Sequence, residues 1–557
     1  MNMYWIAAFF AIAAGVLMLL GSRRESDARA SHYRNFFGTR IELQEPGQPV
    51  KSHQILYGHY VIGRWKRRAD LHISDPTVSR PHCVLWFENG YFHIKPVFHR
   101  RRGSRGSYYS QVLVNEKFVP PQGQRLNYRD DVRLGSVRLS LVPGKSPKQV
   151  FFPQLLIPLC VLIFMIVMTI WVCSQAPGAG LDVSRFRIGS ICIALFLLLF
   201  SLWSLGSGTP MLSFIGGISM LLMMHNCYML FFQGEKRNAQ DYLMHMLIFM
   251  TVMVCAFLIL RQQNFLNRTD WLFYLLCGAI GGLMIINYLF GTGSEHSSAR
   301  LWLRVGGFSL QPGELVKPMI ALAAAMSYRN HRRFWCYFAV TGFTCCVLVL
   351  LRDFGNVFVI FATLLLMIYL LYDNILVSGL TIFISAAAFL ILLNLVPYAR
   401  VRFGNWGNAM VNADSFQQRQ IILSVLSGGL DGLGISGHAQ ATSIFAAESD
   451  SALAGIYAVY GLPMILATLL AYGSIVFQSC SNRSIFPMGN LLLVQAALVV
   501  FAQVILNFCG SLDILFFSGI VAPMISSGGS GMLSQALFMA MIAASLHPAV
   551  PRLDMHE

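Results

Sequence analysis

Long apolar runs separated by short polar links fill residues 153 to 548 and decide what this chain can fold into. They fall near 153–173, 186–205, 210–232, 240–260, 271–290, 314–328, 334–351, 354–372, 376–396, 453–478, 488–509 and 530–548. About twenty such residues, coiled as an α-helix, cover the ~30 Å hydrocarbon core of a bilayer. With a further run in MNMYWIAAFFAIAAGVLMLLGSRRE, the sequence predicts about thirteen crossings. Composition agrees, since 55% hydrophobic and 12% charged residues over 557 positions are far too apolar for an ordinary soluble protein.

The net charge is +16, yet about 23 of the 41 basic residues lie between residues 22 and 150. Basicity concentrated in one region points to a cytoplasmic domain beside anionic lipid. Nucleic acid is excluded as a partner, because no basic stripe with interleaved aromatics accompanies the charge. The first apolar run has an uncharged lead and arginines only after it, which predicts an anchor over 1–21 with its N-terminus outside rather than a cleaved signal. If the region after it is cytoplasmic, the basic loops RQQNFLNR and SYRNHRRFW also fall inside, with the C-terminus. The loops 291–313, 397–452 and 510–529 then fall outside, the last with room for a short re-entrant helix, while EKR at 235–237 lands outside against the charge tendency. The twelve cysteines are scattered without a CxxC and read as small buried apolar residues.

Residues 33–143 carry short β-like runs (HYVIGRW, HCVLWFENGYFHI, QVLVNEKFV, VRLSLV) between Gly, Pro, Asn and Asp clusters, which predicts an all-β sandwich. Gly63 and Arg64, then Ser79, Arg80 and His82, then Asn115 resemble the forkhead-associated (FHA) domain, a reader of phosphothreonine peptides. The resemblance implies that Arg64, Ser79 and Arg80 grip a phosphate, that Asn115 holds the peptide backbone and that His82 braces the loop. Glu116 stands where that family usually has glycine. A linker, 144–152, and two extra apolar helices, 153–209, separate this module from the rest.

Ionisable and polar residues inside apolar segments cost a few kcal/mol each, so they mark where chemistry or bracing is needed. Glu314 and Lys317 are three apart and share a helix face, as a structural pair or a substrate contact. Asp353 is open to the roles of helix-end brace and reactant, and Gln420 lies in QQRQIILSVLSGGLDGLG. APMISSGGSGMLSQAL sets hydroxyls and glycines where a helix resumes, exposing backbone N–H groups to an anion. Asp450, just before ALAGIYAVYG, suits either an N-cap or a reactive carboxylate.

Taken in order, these fragments over 210–548 resemble the SEDS family (FtsW/RodA/SpoVE). Its tryptophan loop and Q-P-S/A-E-x-x-K are met by Trp302, Gln311, Pro312, Glu314 and Lys317, with Arg300 displaced by one residue. P-D-L-G is met at Asp353 and Gly355, with Arg352 for proline. The glutamine before G-S-G-G-L-x-G-x-G is Gln420, and P-x-x-S-Y-G-G-S is met by Pro523, Ser526, Gly528, Gly529 and Ser530, with Ser527 for tyrosine. The family's catalytic aspartate aligns with Asp450, and Gly461 keeps its eleven-residue spacing, although Glu448, Ser449 and Ser451 alter the flanks.

The resemblance implies a glycosyltransferase that polymerises lipid II at the outer face of the cytoplasmic membrane beside a class B penicillin-binding protein. Asp450 would be the base, and Arg300, Glu314, Lys317, Asp353, Gln420, Ser526 and Ser530 would bind substrate. A divalent cation could assist, and a phosphothreonine-bearing protein would meet the cytoplasmic module. A transporter of lipid-linked precursor and a non-catalytic division scaffold are the alternatives. The expected architecture is a multi-domain membrane protein with an anchor helix, an all-β FHA-like sandwich and an all-α transmembrane bundle of about 12 further helices.

Overall fold

A computed structural model describes most of residues 39–142 and 236–546. Residues 1–38, 143–235, 434–448 and 547–557 and several shorter stretches lie outside the described residues, and with them the predicted anchor, linker, extra helices and the run at 210–232. The rest forms two units, one of strands and one of helices.

In the first unit the strands are β1 (Arg40–Gln44), β2 (Lys51–Gln54), β3 (His59–Gly63), β4 (Leu71–His72), β5 (Cys83–Glu88), β6 (Tyr91–Pro96), β7 (Phe98–Arg100), β8 (Ser107–Tyr109), β9 (Val112–Val114), β10 (Lys117–Phe118), β11 (Gln124–Leu126), β12 (Val132–Leu134) and β13 (Val137–Val142). One sheet runs β10-β9-β12-β13-β1-β2 and the other β11-β6-β5-β3-β4, with β7 and β8 forming a separate hairpin. Period-two alternation builds the sandwich: Ile41 and Leu43 of β1 and Phe92 and Ile94 of β6 are buried, while Arg40, Gln44, Tyr91 and Lys95 are exposed. The β9–β10 hairpin turns through Asn115 at φ 50° and Glu116 at φ 66°. Glutamate therefore occupies a left-handed position that glycine adopts more cheaply.

The second unit contains α1 (Lys236–Leu260), α2 (Asp270–Phe290), α3 (Pro312–Ser327), α4 (His331–Leu350), α5 (Phe354–Tyr372), α6 (Ile375–Leu395), α7 (Phe416–Gly428), α8 (Ala452–Ser481), α9 (Pro487–Ser511) and α10 (Gly529–Leu546). Nine of these sit on the predicted apolar runs. Two loops differ from expectation. The polar stretch 397–452 contains α7, and among the described residues of 512–528 there is no helix, so turns and irregular chain stand where a re-entrant piece had room. A small hairpin of β14 (Leu303–Val305) and β15 (Phe308–Leu310) also shapes the 291–313 loop. Among the described residues, α2, α4 and residues 488–511 of α9 are long and apolar enough to cross a membrane.

A break within α8 receives the glycine-rich loop. Gly461 sits at φ 72°, ψ −166° inside the helix. The 430–432 loop enters there: Leu462 N–H donates to the Leu430 carbonyl at 2.9 Å, and Leu433 N–H to the Ala458 carbonyl at 2.9 Å. A side chain at 461 would collide with the Leu430 carbonyl and Asp431, and one at Gly432, φ 79°, with Val459 and Gly461. Gly461→Ala should cost at least ~1–2 kcal/mol from the left-handed backbone alone, before the collision. The reconstituted full chain should therefore melt several degrees lower, as read by a thermal unfolding scan.

Candidate active site and phosphate-reading loop

Helix α3 begins with Pro312 at its first turn and brings Glu314 and Lys317 onto one buried face. The Lys317 ammonium lies 2.8 Å from Glu314 Oε1 and 2.7 Å from Oε2, with both side chains almost fully buried. Removing one partner would leave a bare charge, a loss of about 3–5 kcal/mol. Beside the pair, Gly313 approaches Asp353 and Asn356 so closely that a Cβ would stand 3.2 Å from Asp353 Oδ2 and 3.1 Å from Asn356 Nδ2. Asp353 Oδ1 accepts from Asn356 N–H at 3.2 Å and Oδ2 from Asn356 Nδ2 at 2.9 Å, which caps the start of α5. Arg352 precedes it at φ 68°, a value closed to the proline of the family pattern.

Gly355 carries the arrangement onward, because a Cβ there would run into Ile520 and Ser518 on the non-helical chain after α9. Asn507 of α9 reaches the same segment. Its Nδ2 donates to the Ile520 carbonyl at 2.7 Å and to the Asp450 carbonyl at 2.9 Å. Ser526 Oγ donates to the Ser449 carbonyl at 2.6 Å and accepts from Ala522 N–H at 2.7 Å. The first intrahelical bond of α8 runs from Gly455 N–H to the Ser451 carbonyl at 2.9 Å. Asp450 therefore precedes the cap by one residue, with a half-buried side chain.

Arg300 is exposed on the 291–302 loop, where its carbonyl packs on Gly291. Ser530 lies in the first turn of α10, and its buried hydroxyl has no hydrogen-bond partner among the described residues. Gln420 is half-buried on α7. The glutamine that reaches across is Gln418, whose Nε2 donates to the Gly510 carbonyl at 2.9 Å and to Asp513 Oδ1 at 3.3 Å. Asp513 in turn accepts from Gly407 N–H at 3.0 Å and Ala409 N–H at 2.9 Å, tying that loop and α7 to the turn after α9. The structure thus links Glu314, Lys317, Asp353, Ser526 and Asp450 through Gly313, Gly355 and Asn507. Sequence reasoning missed Asn507, Gln418 and Asp513. Their signal was a polar side chain in or beside an apolar helix. Among the described residues no three His, Cys, Asp or Glu side chains converge, so that donor set forms no cation cage.

In the β unit, Gly63 lets the Arg80 carbonyl approach where a Cβ would collide. Arg64 N–H donates to the Ser79 carbonyl at 3.0 Å, and the exposed Arg64 guanidinium to the Pro76 carbonyl at 3.3 Å. Arg64, Ser79 and Arg80 are brought onto one edge, Arg64 and Arg80 exposed and Ser79 half-buried. His82 braces that edge from below: Nδ1 accepts from Ser79 N–H at 2.9 Å and Nε2 donates to the Gln111 carbonyl at 3.0 Å. The Asn115 amide is used internally, Nδ2 donating to Asp130 at 2.9 Å and Oδ1 accepting from Asp131 N–H at 3.0 Å.

Comparison with known proteins matches residues 208–548 to the cell cycle protein family FtsW/RodA/SpoVE. The chain belongs to this family. Residues 60–135 match the FHA domain. The chain is 24% identical over 372 residues to the peptidoglycan glycosyltransferase RodA of Mycobacterium tuberculosis, covering 61% of this chain and 77% of that protein. It is 26% identical over 306 residues to the probable peptidoglycan glycosyltransferase FtsW of Aromatoleum aromaticum, covering 51% and 72% respectively. A solved chain from a peptidoglycan synthase complex that coordinates polymerization and crosslinking aligns with 59% of this chain and 96% of its own length, at 20% identity and TM-score 0.46. As an FtsW/RodA/SpoVE protein, the chain is a membrane protein with transmembrane helices and an FHA domain.

The FHA brace is sensitive to acid. Burial lowers the His82 pKa below its usual 6.5, since the ring must stay neutral to accept from Ser79. A depressed folded value means the contribution is complete above 6.5 and lost as pH falls through the lower folded value. Asp75, lowered from 3.8 by hydrogen bonds from Ser136 and Thr77, acts only in stronger acid. Proteolysis of the FHA region of the full chain in urea should therefore accelerate between pH 7 and 5, and His82→Gln should flatten that dependence.

Proposed function

We propose that the chain is a peptidoglycan glycosyltransferase that polymerises lipid II at the outer face of the cytoplasmic membrane, in division or shape, under control of its FHA module. The observation that carries this is Asp450, the residue aligned with the family's catalytic aspartate, held half-buried at the mouth of α8 by bonds to its own and its neighbour's carbonyl. In the reaction the acceptor sugar's hydroxyl attacks the anomeric carbon of the donor with inversion. Asp450 takes the hydroxyl proton as that bond forms, and the undecaprenyl diphosphate leaves with the electron pair of the breaking C–O bond. By the family pattern Arg300 and Ser530 would meet that leaving charge and Glu314, Lys317, Asp353 and Gln420 would bind substrate. Ser526 acts through the Ser449 carbonyl.

The proposed organisation is an anchor at 1–21, a cytoplasmic FHA domain at 33–143, a linker at 144–152, extra helices at 153–209 and the polymerase core at 210–548. About thirteen crossings put the N-terminus and the Asp450 loop outside and the C-terminus inside. A class B penicillin-binding protein crosslinks the strands. A phosphothreonine protein docks on Arg64, Ser79 and Arg80, with Asn115 holding its backbone.

The purified chain with its transpeptidase should extend labelled lipid II into glycan strands, and Asp450→Asn should lower the rate at least ~100-fold. Strands from the mutant would remove Asp450 as base, and precursor movement in liposomes without strands from either form would favour a transporter. For the FHA module, Arg64→Ala should weaken phosphothreonine-peptide binding by at least ~10-fold, a loss on the scale of one charge-assisted hydrogen bond. Equal affinity for phosphorylated and unmodified peptide in calorimetry would instead fit the docking of a scaffold.

A further inference from the structure

We propose that Asn507 is the positioning residue for Asp450, setting where the carboxylate stands without touching substrate. This rests on the reading of Asp450 as the base. Asn507 is 2% exposed and sits near the end of α9, a helix that is otherwise largely apolar there. One side-chain nitrogen spends its hydrogens on two carbonyls from different segments, Asp450 before α8 and Ile520 in the non-helical chain before α10. Ile520 is itself fixed, because it fills the space that Gly355 leaves open beside the Asp353 cap. The Asp450 backbone is thereby referenced to the same framework that carries Glu314 and Lys317.

The remaining atom of the amide argues that this geometry is the purpose. Asn507 Oδ1 is buried with no hydrogen-bond partner among the described residues. An orphaned buried acceptor detracts from stability. Leucine, branched at the same atom, would avoid that penalty but would supply no donor to either carbonyl. What asparagine adds is a fixed distance between the Asp450 turn and the 520 segment. A general base works only within hydrogen-bond reach of its proton, and displacement by about 1 Å costs on the order of 100-fold in rate.

The test uses the full chain reconstituted with its transpeptidase, with strand synthesis measured against lipid II concentration. Asn507→Leu removes both donors, and Asn507→Ser keeps one short donor. The expected result is kcat lower by about 30–100-fold for Asn507→Leu and by about 10-fold for Asn507→Ser. KM stays within about 3-fold, because a lost transition-state geometry leaves ground-state binding alone, while the melting temperature falls as the two carbonyls lose their donor. Should Asn507→Leu not fold, Asn507→Ser decides by the same split. Wild-type kcat in a folded variant, or a kcat loss matched by a comparable rise in KM, overturns the positioning role. Asp450→Asn run in parallel separates the two readings. If it is inactive while the Asn507 variants are unimpaired, only the positioning role falls; if it is active, the base assignment falls and takes the positioning role with it.

Discussion

Backbone that leaves the helix inside a membrane protein must find hydrogen-bond donors for its carbonyls, and this requirement organises the site. The turn before α8 and the chain between α9 and α10 are not helical, and side chains answer them. Asn507 serves Asp450 and Ile520, Ser526 serves Ser449, and Gln418 serves Gly510. Tyr472 of α8 does the same for Pro523 through its hydroxyl. Bare buried carbonyls would cost ~1–3 kcal/mol each, so these four side chains decide where these segments rest. The catalytic proposal inherits its geometry from them.

Glycine supplies the complementary half. Gly313 against Asp353 and Asn356, Gly355 against Ile520, and Gly432 against Gly461 are places where two segments meet with no room for a Cβ. At 432 and 461 the backbone is also left-handed. The glycine-rich loop is thus a packed element seated in the break of α8, and its conformation and that of α8 are set jointly.

Much of this was legible in the sequence. The runs HYVIGRW, HCVLWFENGYFHI, QVLVNEKFV and VRLSLV gave the sandwich, the apolar runs gave nine helices, and the eleven-residue spacing from Asp450 to Gly461 marks the distance from the helix mouth to its break. Other features lay beyond it. Gln418 and Gln420 are two apart, so they point to different helix faces, and only the fold selects Gln418 as the cross-loop donor. α7 was hidden because FQQRQIILSVLSG mixes polar and apolar residues without a long hydrophobic run. The exposed Asn115 also bonds Asp130 and Asp131 through its amide, a pairing that becomes available only when β9 and β12 lie side by side. Arg352 could be seen to replace proline, but the left-handed turn that makes proline impossible there could not.

The central claim is that the Asp450 side chain opens on an outer groove that a lipid-linked sugar can enter. The direct measurement is accessibility of a cysteine at 450, in a chain whose twelve native cysteines are replaced, to a membrane-impermeant thiol reagent applied from either side. The account predicts labelling from the outer side, suppressed when lipid II is present. Labelling only from the cytoplasmic side, or labelling that lipid II leaves unchanged, would contradict it.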